Sequence, residues 1–230
     1  SGQFGSNVLA LQNGNIVSKQ AFLGAVAEGG YHEPFLSQLP TSRLEGFLFP
    51  AVYEFKRNTD AGEVVATLLH GFQVNVADGV SLEGQPLTLL ELVTLASIVQ
   101  REAADIDEMP LIAGVFTNRL RLGLPLQADP TVQYALAQDP ASIAEYGYWK
   151  RELTFDDLRF DSPYNTYVYA GLPPGPIANP GLDALEAVVR PAVTEYLYFV
   201  AKNDGTGQHA FAKTLDEHLR NVELYQAPGQ

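Results

Sequence analysis

An α+β fold with helices in the majority is predicted by three features of the sequence. Capping boxes open apolar runs at Asp60/Glu63, Thr88/Glu91 and Thr214/Glu217, each setting a side-chain acceptor three residues ahead of a carboxylate. Strand-like stretches are short, and the clearest pair, 195–201 and 209–212, flanks the glycine-rich turn 203–208 as a hairpin. No GxGxxG, P-loop, GxSxG or fixed-period repeat occurs, so nothing supports a doubly wound sheet or a solenoid.

Each element has its own signal. Ser18 is placed to cap a helix over 19–27, with Phe22, Leu23 and Val26 inward and Gly29-Gly30 as its break. Residues 44–53 read as extended, and Pro50 demotes them to an edge or loop-flanked strand. The Asp60 helix carries Val64, Val65, Leu68 and Leu69 and runs to about Val76, and the loop 77–86 leads to Thr88. The helix after Thr88 is apolar on nearly every side, the mark of a buried helix. Pro110 sits in the first turn of the next helix, 111–122, whose inward positions are Ile112, Val115, Phe116 and Leu120, with Gly123 as its stop. Asp129-Pro130 reads as an N-cap followed by proline at the first helical position. Residues 162–169 read as a turn into a strand, and 171–181 as a proline-fixed path suited to the rim of a groove. Asn179-Pro180 caps a helix over 182–189, and a last helix follows Thr214 to about Leu224.

Composition narrows function. The 230 residues suffice for a proper core, as one large domain or two small ones. A net charge of −13 with no basic run argues against nucleic acid, while a neutral polysaccharide stays compatible. There is no cysteine, hence no disulfide framework or thiolate metal site, and no apolar run approaches the ~18 residues of a membrane span. His209 and His218 stand on different elements without metal-ligand spacing, so neither a metal nor a cofactor is expected. Residues 1–6 read as a tag remnant or trimmed end.

The residue that draws chemical attention is Glu102. It lies seven residues after Leu95 and four after Ile98, on the same face as both. A carboxyl there is desolvated, its pKa rises, and it becomes a general acid near neutral pH. The plainer alternative turns Glu102 to solvent or pairs it with Arg101 or Arg119. Glu45 is either a second site carboxylate or a solvent-facing strand residue; Asp129 is accounted for by capping; Gln127 has no structural duty and suits a sugar hydroxyl; Arg119 reads as a surface ion-pair partner ahead of a substrate contact. Trp149, the only tryptophan, has no evident partner.

Taken together, the ordered stretches LEGFLFP (44–50), LASIVQREA (95–103), IAGVFTNRL (112–120), PLQADPTV (125–132), SPYNTY (162–167), GLPPGPIANPG (171–181), YLYFV (196–200) and FAKTLDEH (211–218) resemble the endolytic murein transglycosylase, or YceG-like, family. Family motifs often carry Glu where this chain has Gln100, Tyr and Asp at Phe47 and Ala51, and Tyr and Ser at Thr117 and Ala128. The resemblance implies a bacterial lytic transglycosylase that cuts peptidoglycan strands internally between N-acetylmuramic acid and N-acetylglucosamine, leaving a 1,6-anhydro end. It implies Glu102 as the catalytic acid, with Glu45, Asn118, Gln127, Asp129, Tyr164 and Asn165 as candidates for holding or orienting the substrate. It further implies an inner-membrane anchor absent here, a catalytic domain facing the wall, cell-wall synthesis proteins as partners, and a division into 1–43, the remnant of a LysM-like subdomain, and 44–230, the catalytic domain. Two other readings remain open: a two-carboxylate hydrolase using Glu45, and a non-catalytic glycan-binding scaffold.

Overall fold

The computed structural model describes residues 14, 16–80 and 86–226; the first residues, the middle of the loop before Thr88 and the last four residues lie outside this description. The architecture is α+β. Helix α1 (Lys19–Glu28) leads through a 3-10 turn (Pro34–Gln38) to α2 (Ala61–Phe72), which ends in a π turn (Gln73–Ala77). Then come α3 (Leu89–Glu102), α4 (Met109–Arg121), α5 (Asp129–Leu136), α6 (Pro140–Tyr146) and α7 (Leu182–Val189). Strands β1 (Tyr198–Ala201) and β2 (His209–Ala212) pair antiparallel, Phe199 opposite Phe211, and α8 (Leu215–Tyr225) follows.

Helix α3 is the axis of the molecule. Both halves of the Thr88–Glu91 capping box form, and every residue from Leu92 to Val99 is buried. Helices α4 and α7 pack against it, so its polar residues must find partners inside: Ser97 Oγ accepts the Ile177 N–H at 3.0 Å and Gln100 Oε1 accepts the Gly181 N–H at 2.9 Å. These bonds pin the proline-fixed segment 171–181 along the helix. On the other side, Phe35, Phe47 and Phe72 form a ring cluster with centroids 4.7–5.6 Å apart. Phe22, Ala25 and Phe35 belong to the same core as Leu44 and Val93, so the described part of segment 1–43 packs directly onto the rest.

Several sequence expectations are corrected. Residues 44–53 form no strand: the N–H groups of Gly46 and Leu48 both donate to Asn179 Oδ1, at 2.8 and 3.1 Å, instead of to a neighbouring strand. Asn179 is thereby occupied, and the N-cap of α7 is Gly181. Asn179→Ala leaves two buried N–H groups without an acceptor; the expected result is a loss of about 2–4 kcal/mol, read as a fall of ~5–10 °C in Tm. Residues 162–169 also form no strand, because the Asn165 carbonyl accepts the N–H groups of Val168 and Tyr169 and coils the chain into successive turns. Leu23 is 40% exposed rather than inward. Helix α6 was not foreseen, although Asp139-Pro140 carried its signal: Asp139 Oδ2 accepts the Ser142 N–H at 2.8 Å.

Candidate active site

The last residue of α3 opens onto a cavity of about 540 Å³. Helix α4 supplies Phe116 and Arg119 to its wall, the approach to α5 supplies Gln127 and Asp129, the 162–169 turns supply Tyr167, and the hairpin and α8 close it with Tyr198 and His218. Glu102 is part-buried at this junction. Burial raises its carboxyl pKa first, the nearby charge of Asp129 raises it further, and Arg101 opposes both, for a result of about 8. Its place at a helix C-terminus acts in the same direction, since the negative end of the helix dipole disfavours an anion. The acid therefore keeps its proton at neutral pH.

Asp129 reaches this cavity because capping does not consume it. The N-cap of α5 is Ala128, Pro130 has no N–H to offer, and the Thr131 N–H is bonded to the Ala128 carbonyl. The freed carboxylate accepts a 2.6 Å hydrogen bond from the Tyr167 hydroxyl. Burial and that bond push the Tyr167 pKa up, so the phenol remains a donor. Removing the carboxylate charge with Asp129→Asn is expected to move the Glu102 titration midpoint down by about one pH unit. A carbon-13 NMR titration of the variant beside the parent checks this.

Arg119 is a correction of a different kind. It is 8% exposed, and its guanidinium donates to the carbonyls of Pro125 at 2.8 Å and Leu197 at 2.9 Å, and to Gln127 Oε1. It thus braces the cavity wall through neutral oxygens instead of pairing at the surface. Gln127 adopts a φ of +54°, unusual for a residue with a side chain, and this turn aims it at Arg119 along the cavity. His218 stacks on the Tyr198 ring with centroids 5.3 Å apart, and burial holds its pKa low. His209 donates or accepts through Nδ1 at 2.8 Å from Glu108, clasping β2 to the start of α4. Trp149 gains the partner its sequence did not reveal: the Arg101 guanidinium lies 4.5 Å above its ring.

The remaining sequence candidates lie apart from this cavity. The Asn118 amide donates to the carbonyls of Thr194 and Tyr196, at 2.9 and 3.0 Å, and so fixes the chain entering β1. Asn165 is fully buried, and its amide donates to Leu158 and Phe160 while its Oδ1 accepts the Tyr167 N–H at 2.9 Å. Its contribution is to aim Tyr167. Glu45 and Tyr164 line a separate cavity. Of the set, the fold brings together Glu102, Gln127 and Asp129.

Residues 7–224 match the YceG-like family, nearly the whole chain. The chain belongs to the YceG-like family. The curated relatives include a Bacillus subtilis protein named endolytic murein transglycosylase, 40% identical over 79% of this chain and 48% of its own length. A Streptococcus pneumoniae protein of the same name is 34% identical over 90% of this chain and 39% of its own. This YceG-like chain therefore spans about half or less of the length of these relatives. The crystal structure of a YceG-like protein from Listeria monocytogenes has the same fold, with a TM-score of 0.69 and 36% identity, over 88% of this chain and 64% of that one. No described helix is long and apolar enough to cross a membrane.

Proposed function

We propose that this chain is the catalytic part of an endolytic peptidoglycan lytic transglycosylase, with Glu102 as its single acid and then base. The observation that carries this reading is the position of Glu102, part-buried on the wall of a 540 Å³ cavity that it shares with Asp129, where burial pushes its carboxyl pKa up to about 8. The names of the relatives supply the substrate class. Protonated Glu102 donates to the glycosidic oxygen leaving between N-acetylmuramic acid and N-acetylglucosamine. The resulting carboxylate then takes the proton from the muramyl C6 hydroxyl as that oxygen closes onto C1, so the proton balance returns to its start. No water is consumed, and the product is a 1,6-anhydro end.

The other groups fit this sequence. Asp129 and Tyr167 form a fixed acceptor–donor pair beside Glu102, so developing positive charge on the sugar faces the Asp129 carboxylate instead of bulk water, while Gln127, held by Arg119, borders the same space. We infer further, from the family resemblance alone, a membrane-anchored protein whose catalytic part faces the wall and works beside wall-synthesis proteins. Mass spectrometry of peptidoglycan strands after incubation tests the reaction. Anhydro ends support the proposal. Reducing ends point instead to a two-carboxylate hydrolase; Asp129, which shares the cavity, is then a better second carboxylate than Glu45. Binding without cleavage by the full-length protein favours a scaffold.

A further inference from the structure

Helix α8 holds no buried residue, yet one of its faces turns to the Glu102 cavity. Leu215, His218, Leu219 and Val222 follow the three- and four-residue spacing of a single helical face, and all four border that space. Leu215 and Leu219 are half-exposed, and Phe199 and Val200 of β1 border the same cavity, so its α8 side is largely apolar. His218 is the polar group set among them. Its ring stacks on Tyr198, and its Nδ1 is buried with no hydrogen-bond partner among the described residues. A ring nitrogen left in this way fixes the tautomer. A proton on Nδ1 would be a buried N–H without an acceptor, an orphan that folded proteins rarely tolerate. The proton therefore belongs on Nε2, the nitrogen left to meet the cavity. A second proton is disfavoured by burial and by the Arg119 guanidinium, which lies 5.4 Å from the centroid of the same Tyr198 ring. The side chain is then a neutral N–H donor in an apolar wall.

We propose that His218 reads an acetamido group of the glycan, its Nε2–H donating to the acetamido carbonyl while the methyl rests on Leu215 and Leu219; this rests on the strand-cleaving reading above. An acetamido group carries its acceptor and its methyl on one carbon, and the wall sets its donor directly beside apolar side chains. A hydroxyl would use the donor and leave the leucines uncovered. An N-deacetylated sugar fares worse, because it presents an ammonium with only N–H donors to another donor, near the fixed charge of Arg119. The cavity's carboxylate, Asp129, is engaged elsewhere: it accepts from the Tyr167 hydroxyl, and its charge acts on Glu102. A site built to pair with one polar group rejects the analogue that lacks it, since its own donor is then left unpaired. His218 is thus a specificity-determining residue, separate from the acid that does the chemistry.

The test uses the Glu102→Gln protein as parent, which binds without cutting, and labelled glycan strands in acetylated and N-deacetylated form. The parent is expected to bind the acetylated strand at least about tenfold more tightly. Two changes at His218 separate donation from stacking. His218→Phe keeps a ring on Tyr198 without the N–H and is expected to lose most of the preference. His218→Gln places an amide N–H near the Nε2 position and is expected to retain most of it. Nitrogen-15 NMR of the parent's imidazole should show the proton on Nε2, with that signal shifting when the acetylated strand is added. A preference that His218→Phe leaves intact, equal losses in the two variants, or a proton on Nδ1 overturns the role of His218 alone. So does a parent that binds both strands equally. A parent that binds neither strand overturns the strand-cleaving reading together with it.

Discussion

Glu102→Gln is expected to lower strand cleavage by at least about 10³-fold, because one carboxyl group serves as both acid and base and the amide can do neither. The same substitution is expected to leave the fold intact and to stabilise it at alkaline pH. The carboxyl has an ordinary value of 4.5 and a folded value of about 8. Between these values the folded chain holds a proton that the unfolded chain has released, so stability falls as pH rises through this window. Glutamine has no proton to lose, and the slope disappears. The gain is about 2–4 kcal/mol at pH 8, below the ~5 kcal/mol of a sealed site because water enters the open cavity. Urea titrations at pH 5 and pH 8 measure it: the variant and parent converge at the lower pH and separate at the higher. A stabilised, inactive variant is the pattern of a residue kept for chemistry at a cost to folding.

The second large effect belongs to Gly46. It adopts a φ of +94°, and a methyl group there would stand 2.4 Å from Pro176 Cγ and 2.9 Å from Val93 Cγ1. Neither neighbour has room to withdraw, since one is fixed in the 171–181 segment and the other is fully buried in α3. Gly46→Ala is therefore expected to cost about 3–5 kcal/mol from combined backbone strain and overpacking. The urea midpoint should drop with the slope unchanged.

Helix existence was legible wherever a cap and an apolar run coincided. The boxes at Thr88 and Thr214 form in full, and Asp60 caps α2 through the Gly62 and Glu63 N–H groups. The desolvation of Glu102 was legible for a related reason: seven- and four-residue spacings placed it over buried aliphatic residues. What local pattern could not supply was long-range polar traffic. Asn179 reads as a cap until Gly46 and Leu48, more than 130 positions away, claim its oxygen. Asp129 reads as a cap until Tyr167 claims its carboxylate. Asn118 and Asn165 read as sugar contacts, yet their amides are drawn to main-chain carbonyls that only the folded chain brings near. Arg119 reversed in the same way, from surface pair to cavity brace.

The proposed role of Glu102 requires its carboxyl group to be protonated at neutral pH, and a carbon-13 NMR titration of the glutamate carboxyls reads that charge state. The Glu102 resonance is identified as the one missing from Glu102→Gln. It is expected to titrate with a midpoint of about 8. A midpoint near the ordinary 4.5 would leave Glu102 ionised at neutral pH and contradict its role as the proton donor.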